Sequence, residues 1–298
     1  MAANEQFRSG FITIAGRPNV GKSTLMNAMI GEKVAIISPK PQTTRSRIMG
    51  IVTDENSQIV FLDTPGMHTA RTKLGEYMMK TVQDALSEME GLIVMVDATA
   101  VGPHDRSIVH ELAEKKCHKA LVLNKIDLMP REKLLGLIDS FREEEYDAII
   151  PVSAKTGDGL DELKKLLVSF LPEGPKYFPD DMITDQPEQF ICAEIIREKA
   201  LLHLRDEVPH GIGVEILGFQ KLSDGLTEIN ATVYCEREAH KGIILGKQGS
   251  MIRIIGSEAR ADIEKLLDTH VNLQLYVKVR QDWRNRMSDL KMLGYDNK

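Results

Sequence analysis

The first 170 positions alternate between two kinds of hydrophobic pattern. Continuous apolar runs at 11–15 and 91–96 predict buried strands, whereas apolar residues three and four positions apart at 23–30 and 160–170 predict amphipathic helices. Strands that alternate with helices in this way form a mostly parallel sheet covered by helices on both faces. The pattern therefore predicts a doubly wound α/β domain over residues 7–171.

A different pattern follows residue 190. Helical spacing, two alternating strands, two further helices and a last alternating strand at 271–280 give the order α-β-β-α-α-β. This order predicts a smaller α+β domain over residues 190–298. The intervening residues, 172–189, have no periodicity and contain prolines at 172, 175, 179 and 187, which is typical of a linker.

Length and composition agree with two domains and exclude several classes of protein. A chain of 298 residues is long enough for about two separate cores. The apolar runs are too short to cross a bilayer, so we expect a soluble, cytoplasmic protein. Three scattered cysteines and eight dispersed histidines show no metal-ligand spacing.

The net charge of −6 is unevenly distributed along the chain. From residue 236 onward, 12 basic residues stand against 9 acidic ones, a net charge of +3 that leaves −9 for the first 235 residues. A locally basic C-terminal domain on an acidic chain is compatible with a nucleic-acid partner.

The most informative motif lies between the first strand and the first helix. Residues 16–23 match G-x-x-x-x-G-K-[ST], in the strand, loop and helix order that a phosphate-binding loop requires. Backbone N–H groups of such a loop point at an anion, and the helix N-terminus adds positive potential. We expect Lys22 to contact the β- and γ-phosphates and Ser23 to bind Mg²⁺.

Two further elements have the order and spacing of a phosphate-sensing switch. Thr44 lies in an irregular polar segment, where a threonine can close over Mg²⁺ and the γ-phosphate. Asp63 ends a predicted strand and begins Asp-Thr-Pro-Gly, so its carboxylate can hold Mg²⁺ through water. Gly66 can offer a backbone N–H to the γ-phosphate and act as a hinge.

Two later strand ends predict a site for a purine base. Asn124, Lys125 and Asp127 follow the strand at 120–123, and a carboxylate can accept the two adjacent donors that guanine presents and adenine lacks. We expect Asp127 to be the buried selector for guanine. Residues 153–155, Ser-Ala-Lys, follow the next strand and can offer backbone N–H groups to the guanine carbonyl.

In this order and spacing, the motifs resemble the five guanine-nucleotide motifs of translation-factor-type GTPases. The resemblance implies a P-loop GTPase that binds GTP and GDP with Mg²⁺ held by Ser23, Thr44 and Asp63. The implied catalytic residues are Asn19, Lys22, Thr44 and Gly66. The implied nucleotide-binding residues are Gly16, Arg17, Pro18, Asn19, Val20, Gly21, Lys22, Ser23, Thr24, Asp63, Asn124, Lys125, Asp127, Ser153, Ala154 and Lys155.

One position departs from the regulatory GTPases. Met67 follows Gly66 where those enzymes carry a glutamine that orients the attacking water. A methionine cannot do this, so we expect slow intrinsic hydrolysis. Asn19 resembles an asparagine that helps bind K⁺ in several GTPases with an apolar residue here, and K⁺ is accordingly a hypothesis, beside the alternative that Asn19 is an ordinary loop residue.

The second domain contains a G-x-x-G loop between two helical segments. Glycines let a nucleic-acid backbone approach closely while lysine and arginine neutralise phosphates. We expect RNA to contact residues of this loop and its flanks: Lys241, Gly242, Ile243, Gly246, Lys247, Gln248, Gly249 and Arg253. The domain resembles a K-homology (KH) domain of the prokaryotic type.

Two expectations concern how this domain would hold bases. We expect them along an apolar groove beside Ile243, Ile244 and Ile254. Trp283 is either a core residue or a stacking platform for a base.

Taken together, the two domains resemble an Era-type GTPase along nearly the whole chain. The resemblance implies a bacterial factor that binds 16S rRNA near its 3′ end and acts in rRNA processing and biogenesis of the small (30S) ribosomal subunit. It also implies a monomer that associates peripherally with the inner face of the cell membrane.

Three alternatives stay open at this level. An RNA-binding adaptor that uses GTP only as a structural ligand would show no single-turnover hydrolysis with small ribosomal subunits. An ATP-driven enzyme would not depend on Asp127 for base choice. A membrane-remodelling GTPase is disfavoured because the second domain has no long amphipathic or apolar insertion.

The guanine hypothesis is testable at one residue. Asp127→Asn replaces two acceptor oxygens by an amide that donates to the C2 carbonyl of xanthine, so we expect preference for XDP over GDP to rise by about 100-fold or more. Competition binding with fluorescent nucleotides measures it. Asp161→Asn, outside the motifs, is the control, and an Asp127 variant that still prefers GDP would contradict the assignment.

Overall fold

The computed structural model describes residues 6–40, 42–87, 89–222 and 225–295, which form two compact units. The first unit contains the described residues of 1–35 together with Thr44–His68 and Met78–Asp185. The second contains those of 186–298 together with Ile36–Thr43 and Thr69–Tyr77. Two short segments that precede residue 171 in sequence therefore belong to the second unit.

A six-stranded sheet organises the first unit. The regular elements in this part of the chain are β1 (Arg8–Gly16), α1 (Lys22–Ile30), β2 (Ile48–Thr53), β3 (Ser57–Asp63), α2 (Lys73–Ala85), β4 (Gly91–Asp97), α3 (Pro103–Ala113), β5 (His118–Asn124), α4 (Arg131–Asp139), β6 (Ala148–Pro151) and α5 (Leu160–Phe170). The strand order is β2-β3-β1-β4-β5-β6. Only the β2–β3 pairing is antiparallel, so the sheet is mostly parallel, as the alternating pattern predicts.

Both faces of this sheet are covered, which explains the continuous apolar runs. In β4, Ile93 and Met95 pack with α1 and α5, whereas Leu92 and Val94 pack with α3. All four side chains are at most 1% exposed. Because adjacent strand residues point to opposite faces, a strand buried on both sides must be apolar at every position. The same geometry places the carboxyl ends of β1, β3, β4, β5 and β6 along one edge.

The chain after α5 is bound to the first unit over part of the predicted linker, 172–189. The Gln58 side chain accepts the N–H groups of Tyr177 (2.8 Å) and Phe178 (3.0 Å). Further along, Ile51 N–H donates to the Ile183 carbonyl at 2.9 Å. These hydrogen bonds satisfy a proline-rich backbone that forms no regular element. The domain boundaries at 171 and 190 stay predictions.

The second unit has a three-stranded sheet with the order β7-β8-β9. Its elements are α6 (Glu188–His203), β7 (Gly213–Lys221), β8 (Leu226–Cys235), α7 (Glu238–Leu245), α8 (Ser250–Leu267), β9 (His270–Val279) and α9 (Met287–Met292). Strands β7 and β8 are antiparallel, and β8 and β9 are parallel. A parallel pair needs a crossover connection, which α7 and α8 provide.

The C-terminal end of the second unit, after β9, contains two short helical elements. A 3-10 turn at Trp283–Asn285 precedes the short α9. Trp283 is fully buried, donates from Nε1 to the Gly211 carbonyl at 2.9 Å and stacks on Tyr295 with ring centroids 6.3 Å apart. An indole that is buried and hydrogen-bonded in this way is a core residue and offers no face to a base.

Candidate functional site

The predicted phosphate loop connects the end of β1 to the start of α1. Gly16 and Gly21 have φ angles of 147° and 106°, and both are closely approached by other backbone or side-chain atoms. A Cβ on Gly21 would lie 2.2 Å from Asn124 Nδ2, and one on Gly16 would lie 2.3 Å from the Met95 carbonyl oxygen. Only glycine fits both the backbone conformation and the space. The loop consequently holds its backbone close to the ends of β4 and β5.

Lys22 lies inside this loop. Its side chain is buried, and Nζ donates to the carbonyls of Gly16 (3.2 Å) and Arg17 (3.0 Å). Burial lowers the pKa of Lys22 to about 8, although the nearby Asp63 carboxylate acts in the opposite direction. The loop therefore surrounds a cation whose charge is poorly solvated, which favours an anionic ligand.

Ser23, Thr44 and Asp63 converge beside the loop. Ser23 Oγ lies 2.6 Å from Asp63 Oδ2 and 2.9 Å from Thr44 Oγ1. Asp63 is fully buried, and its Oδ1 has no hydrogen-bond partner among the described residues. Burial raises the pKa of Asp63, while Lys22 and the hydrogen bonds from Ser23, Thr44 and Thr64 lower it. Carboxylate and hydroxyl oxygens are ligands that Mg²⁺ prefers, and the buried Oδ1 acceptor fits a water held by that ion.

Gly66 and Met67 bring the end of the Asp-Thr-Pro-Gly element against the phosphate loop. A Cβ on Gly66 would lie 2.5 Å from the Pro18 nitrogen, and Met67 N–H donates to the Gly16 carbonyl at 3.0 Å. The Met67 side chain packs on the apolar cluster that contains Leu92. It therefore offers neither a donor nor an acceptor to water, as the sequence predicts.

The predicted base-recognition residues link three loops of the first unit. Asn124 Nδ2 donates to the Val20 carbonyl (2.8 Å), and its Oδ1 accepts Ala154 N–H (3.0 Å). Lys125 Nζ donates to the Asn19 carbonyl at 3.0 Å. These hydrogen bonds fix the phosphate loop against the base loops, although Asn124 and Lys125 lie more than 100 positions from their partners in the phosphate loop.

Asp127, the expected buried selector for guanine, is not buried in the structure. Asp127 is solvent-exposed, and its Oδ1 accepts the hydroxyl of the buried Ser153 at 2.7 Å. Asp127 follows β5 in a short 3-10 turn, Ile126–Leu128, whose side chains are not buried, so its carboxylate is accessible to a ligand. Lys155 is exposed as well, whereas Ala154 is buried.

Not every predicted residue turns toward the loop interior. Arg17 points away, and its Nε donates to Asp105 Oδ1 at 2.6 Å at the start of α3. Val20 is buried in the apolar core, and Thr24 is half-buried in the first turn of α1. These residues shape the loop through their backbone or packing.

Sequence reasoning missed two carboxylates that support the site. Asp105 is 2% exposed and also accepts Gly102 N–H, so it fixes Arg17 from α3. Asp97, at the end of β4, accepts Lys125 Nζ at 2.6 Å. The position of Asp97 at a strand carboxyl end could have indicated it, because ligand sites of such sheets lie there.

The second candidate site is the loop between α7 and α8. Gly246 and Gly249 have φ angles of 70° and 76°, and Gln248 between them has 54°. A Cβ on Gly246 would lie 2.7 Å from the Met251 nitrogen, whereas one on Gly249 would meet no atom within 4 Å. Gly246 is therefore needed for packing, and Gly249 leaves an open surface.

A groove of about 450 Å³ begins at Gly249. Its lining comes from α8 and β9: Ile252, Arg253, Gly256, Ser257, Arg260, Leu273 and Leu275. Apolar walls with two exposed arginines suit bases and phosphates of a single strand. Of the predicted RNA contacts, Lys247, Gln248 and Gly242 are exposed nearby in sequence, Lys241 is half-buried, and Gly249 and Arg253 line the groove itself.

The expected groove beside Ile243, Ile244 and Ile254 is corrected by the structure. Ile244 is fully buried in the core of the second unit, whereas Ile243 and Ile254 are exposed and do not line the observed groove. Arg260 and the β9 residues were missed because they face the groove only through the packing of α8 on β9.

Two negative findings apply to the described part of the chain. No helix there is both long and apolar enough to cross a membrane. The same residues contain no group of three or more His, Cys, Asp or Glu side chains arranged to hold a metal. A Mg²⁺ ion at Asp63 would thus depend on hydroxyls and phosphates for its other ligands.

Comparison with known proteins gives consistent matches along the chain. A family model described as a 50S ribosome-binding GTPase matches residues 11–125, and one described as a KH domain matches residues 207–284. The chain is 51% identical over 291 residues to GTPase Era of Ruminiclostridium cellulolyticum, covering 97% of this chain and 98% of that protein. It is 52% identical over 293 residues to GTPase Era of Alkaliphilus metalliredigens, covering 97% and 99%.

Solved structures agree with these matches. The chain is similar, with a TM-score of 0.94 and 40% identity, to Era in complex with MgGDPNP and nucleotides 1506–1542 of 16S ribosomal RNA, covering 98% of this chain and 100% of that one. An Aquifex aeolicus Era variant bound to GDP and AlF₄⁻ gives a TM-score of 0.93 at 40% identity. The predicted fold, a P-loop GTPase domain followed by a KH domain, is confirmed.

The pKa of Lys22 leads to a pH dependence of nucleotide binding. Below about pH 8 the ammonium is already charged and GDP affinity should be flat, whereas above it binding must take up a proton, so affinity should fall by up to about tenfold per pH unit. Calorimetry in buffers of different ionisation enthalpy measures both the affinity and the proton uptake.

A variant at the same position separates this charge from other titrating groups. Lys22→Arg keeps a permanent charge, so its affinity, whatever its size, should not depend on pH in this range. A wild-type affinity that is flat from about pH 7 to 9, without proton uptake, would contradict the linkage.

Proposed function

The chain belongs to the Era family of GTPases and hydrolyses GTP, and we propose that it binds 16S rRNA near its 3′ end in processing and small-subunit biogenesis. The groove beside Gly249 is the observation that carries the proposal, because it offers apolar walls and two arginines to a single strand. A relative of 40% identity was crystallised with nucleotides 1506–1542 of 16S rRNA, which supports the same ligand here.

Nucleotide binding in this proposal uses the buried charges of the first unit. Lys22 neutralises phosphate oxygens, and the loop amides that precede α1 donate to them. Asp127 accepts the guanine donors, while Ser153 orients the carboxylate. Asn124 and Lys125 keep the base loops fixed to the phosphate loop, and Ser153 joins the two base loops through Asp127, which reduces the ordering cost of binding.

Ser23, Thr44 and Asp63 are the residues that would hold Mg²⁺. The ion they would hold would supply positive charge beside the phosphate oxygens. Thr44 senses the γ-phosphate because its hydroxyl lies beside Ser23 and Asp63. Gly66, which lies against Pro18 of the phosphate loop, offers a backbone N–H to the same phosphate. Since Met67 packs on apolar side chains, the water must be oriented by other groups, and intrinsic turnover is slow.

Potassium is the activating cation in our proposal for hydrolysis. Asn19 is exposed in the phosphate loop with a φ of 65°, and Lys125 holds its carbonyl. A cation beside Asn19 would stabilise developing negative charge in the way a donated arginine does.

The cytoplasmic location, the peripheral membrane contact and the monomeric state implied by the family resemblance stay predictions. Co-flotation with vesicles would check the membrane contact, and sedimentation would check the monomeric state.

We expect single-turnover hydrolysis to be about tenfold or more faster in KCl than in NaCl at equal ionic strength. Asn19→Ala should abolish the difference, while GDP affinity in the two salts stays equal. Identical wild-type rates in both salts would remove the basis for the cation.

RNA binding is tested in the groove with a double substitution. Arg253→Gln with Arg260→Gln removes two phosphate-neutralising charges, so affinity for the RNA of nucleotides 1506–1542 should fall, and the slope of log K against log salt should decrease by about 1.4. Fluorescence anisotropy at several salt concentrations measures both. Lys265→Gln, exposed on α8 outside the groove, is the matched control.

The GTP affinity of this double variant should stay near wild type, because both arginines lie in the second unit. Unchanged RNA binding, or equal loss with Lys265→Gln, would contradict the groove assignment. Substituting Gly246 is a weaker test because its Cβ would clash with the Met251 backbone.

A further inference from the structure

The segment Ile36–Thr43, which leads directly into Thr44, is bound to α6 in the second unit. Glu198 Oε1 accepts Ile37 N–H at 2.8 Å near the start of the segment. Arg197 Nη2 donates to the Thr43 carbonyl at its end. Two neighbouring side chains of one helix thus hold the backbone of the segment at two points, six residues apart in sequence.

The α6 side chains that make these contacts are buried and fixed by their neighbours. Arg197 is fully buried, and Glu194, one turn earlier in α6, accepts both Nε (2.7 Å) and Nη2 of its guanidinium. Glu198 is 3% exposed and pairs with Lys199 at 3.4 Å. A buried, paired guanidinium has one favourable position, because moving it would leave the Glu194 carboxylate without its partner.

Arg197 acts on Thr44 through a single peptide group. The carbonyl that accepts the Arg197 hydrogen bond is joined to the Thr44 nitrogen, and the atoms of this peptide lie in one plane. A hydrogen bond that fixes the carbonyl therefore fixes the direction in which the backbone enters Thr44. At the far side of that residue, Thr44 Oγ1 lies 2.9 Å from Ser23 Oγ.

We propose that Arg197 and Glu198 are positioning residues for Thr44. By holding the segment Ile36–Thr43, α6 sets the backbone conformation in which Thr44 senses GTP. This inference rests on the proposed function, in which the Thr44 hydroxyl senses the γ-phosphate. It extends that function because neither α6 residue belongs to a nucleotide motif, and Arg197 lies 154 positions from Thr43.

Loss of the contacts from α6 should change the affinities for GTP and GDP differently. In the proposed function Thr44 closes over Mg²⁺ and the γ-phosphate only in the GTP-bound state. Weakening its support should therefore lower affinity for a GTP analogue and leave affinity for GDP unchanged. A substitution that merely loosened the fold would affect both nucleotides. The ratio of the two affinities is therefore the readout that a purely structural effect would not change.

The experiment uses the full chain with Arg197→Met and Glu194→Gln combined, which removes both members of the buried pair and avoids an isolated charge. Loss of a hydrogen bond to a charged group should lower GTP-analogue affinity and the single-turnover hydrolysis rate by about tenfold or more. GDP affinity should change less than about twofold. His203→Gln, on the same helix and paired with Glu258, is the matched control and should leave all three values unchanged.

A second variant keeps the test decisive if the double substitution does not fold. Glu198→Ala removes the anchor at Ile37, while Lys199 retains its 2.6 Å ion pair with Asp262. We expect the same direction of change, with GTP-analogue affinity reduced by about fivefold and GDP affinity unchanged.

A double-mutant cycle distinguishes failure of this inference from failure of the proposed function. If the α6 residues act through Thr44, their effect should disappear in a Thr44→Ala background. Additive losses, or α6 variants with wild-type hydrolysis beside an impaired Thr44→Ala, would overturn the inference and leave the function intact. A Thr44→Ala variant with wild-type discrimination between GTP and GDP would instead overturn the proposed γ-phosphate sensor, and the inference with it.

Discussion

The buried Lys22 ammonium and Asp63 carboxylate are the interaction on which the nucleotide site depends. Burial lowers the pKa of Lys22 and raises that of Asp63, so each charge is held where water solvates it poorly. The protein compensates only in part, through the Gly16 and Arg17 carbonyls around the ammonium and the hydroxyls of Ser23 and Thr44 beside the carboxylate. The poorly solvated Lys22 ammonium suits a phosphate as its partner, and the poorly solvated Asp63 carboxylate suits Mg²⁺. Binding energy is thereby directed to the charged part of the nucleotide.

Rigid connections between loops turn these charges into a specific site. Asn124 joins the phosphate loop to the loop after β6, and Lys125 joins Asn19 to Asp97. The parallel sheet makes this possible, because it brings the ends of β1, β3, β4 and β5 to one edge. Met67, by contrast, packs on the apolar core and takes no part in these polar connections. The proposed hydrolysis therefore assigns the orientation of water to another group.

The second unit combines two surfaces with different tasks. Its α8 and β9 form a groove whose arginines and open glycine suit RNA, while α6 holds the backbone that precedes Thr44. Both surfaces belong to one packed core, so α6 and the groove are parts of the same cooperative structure. A GTPase switch whose segment is anchored in an RNA-binding unit has a direct physical basis for coupling, since α6 can favour one conformation of the segment.

The amino-acid sequence by itself determined the alternation of strands and helices, the two-domain class and the motifs at the strand ends, because these follow from local periodicity and from residue types needed at fixed short spacing. It also showed that Met67 cannot orient water. Tertiary structure decided the contacts between side chains that are distant in sequence. Asp97 accepts a hydrogen bond from Lys125, Asp105 accepts one from Arg17, and Arg197 donates to the Thr43 carbonyl. It likewise buried Ile244, exposed Asp127 and formed the groove from α8 and β9. Local patterns cannot predict such contacts, because the face that a helix buries and the partner that a charge finds depend on residues far away in the chain.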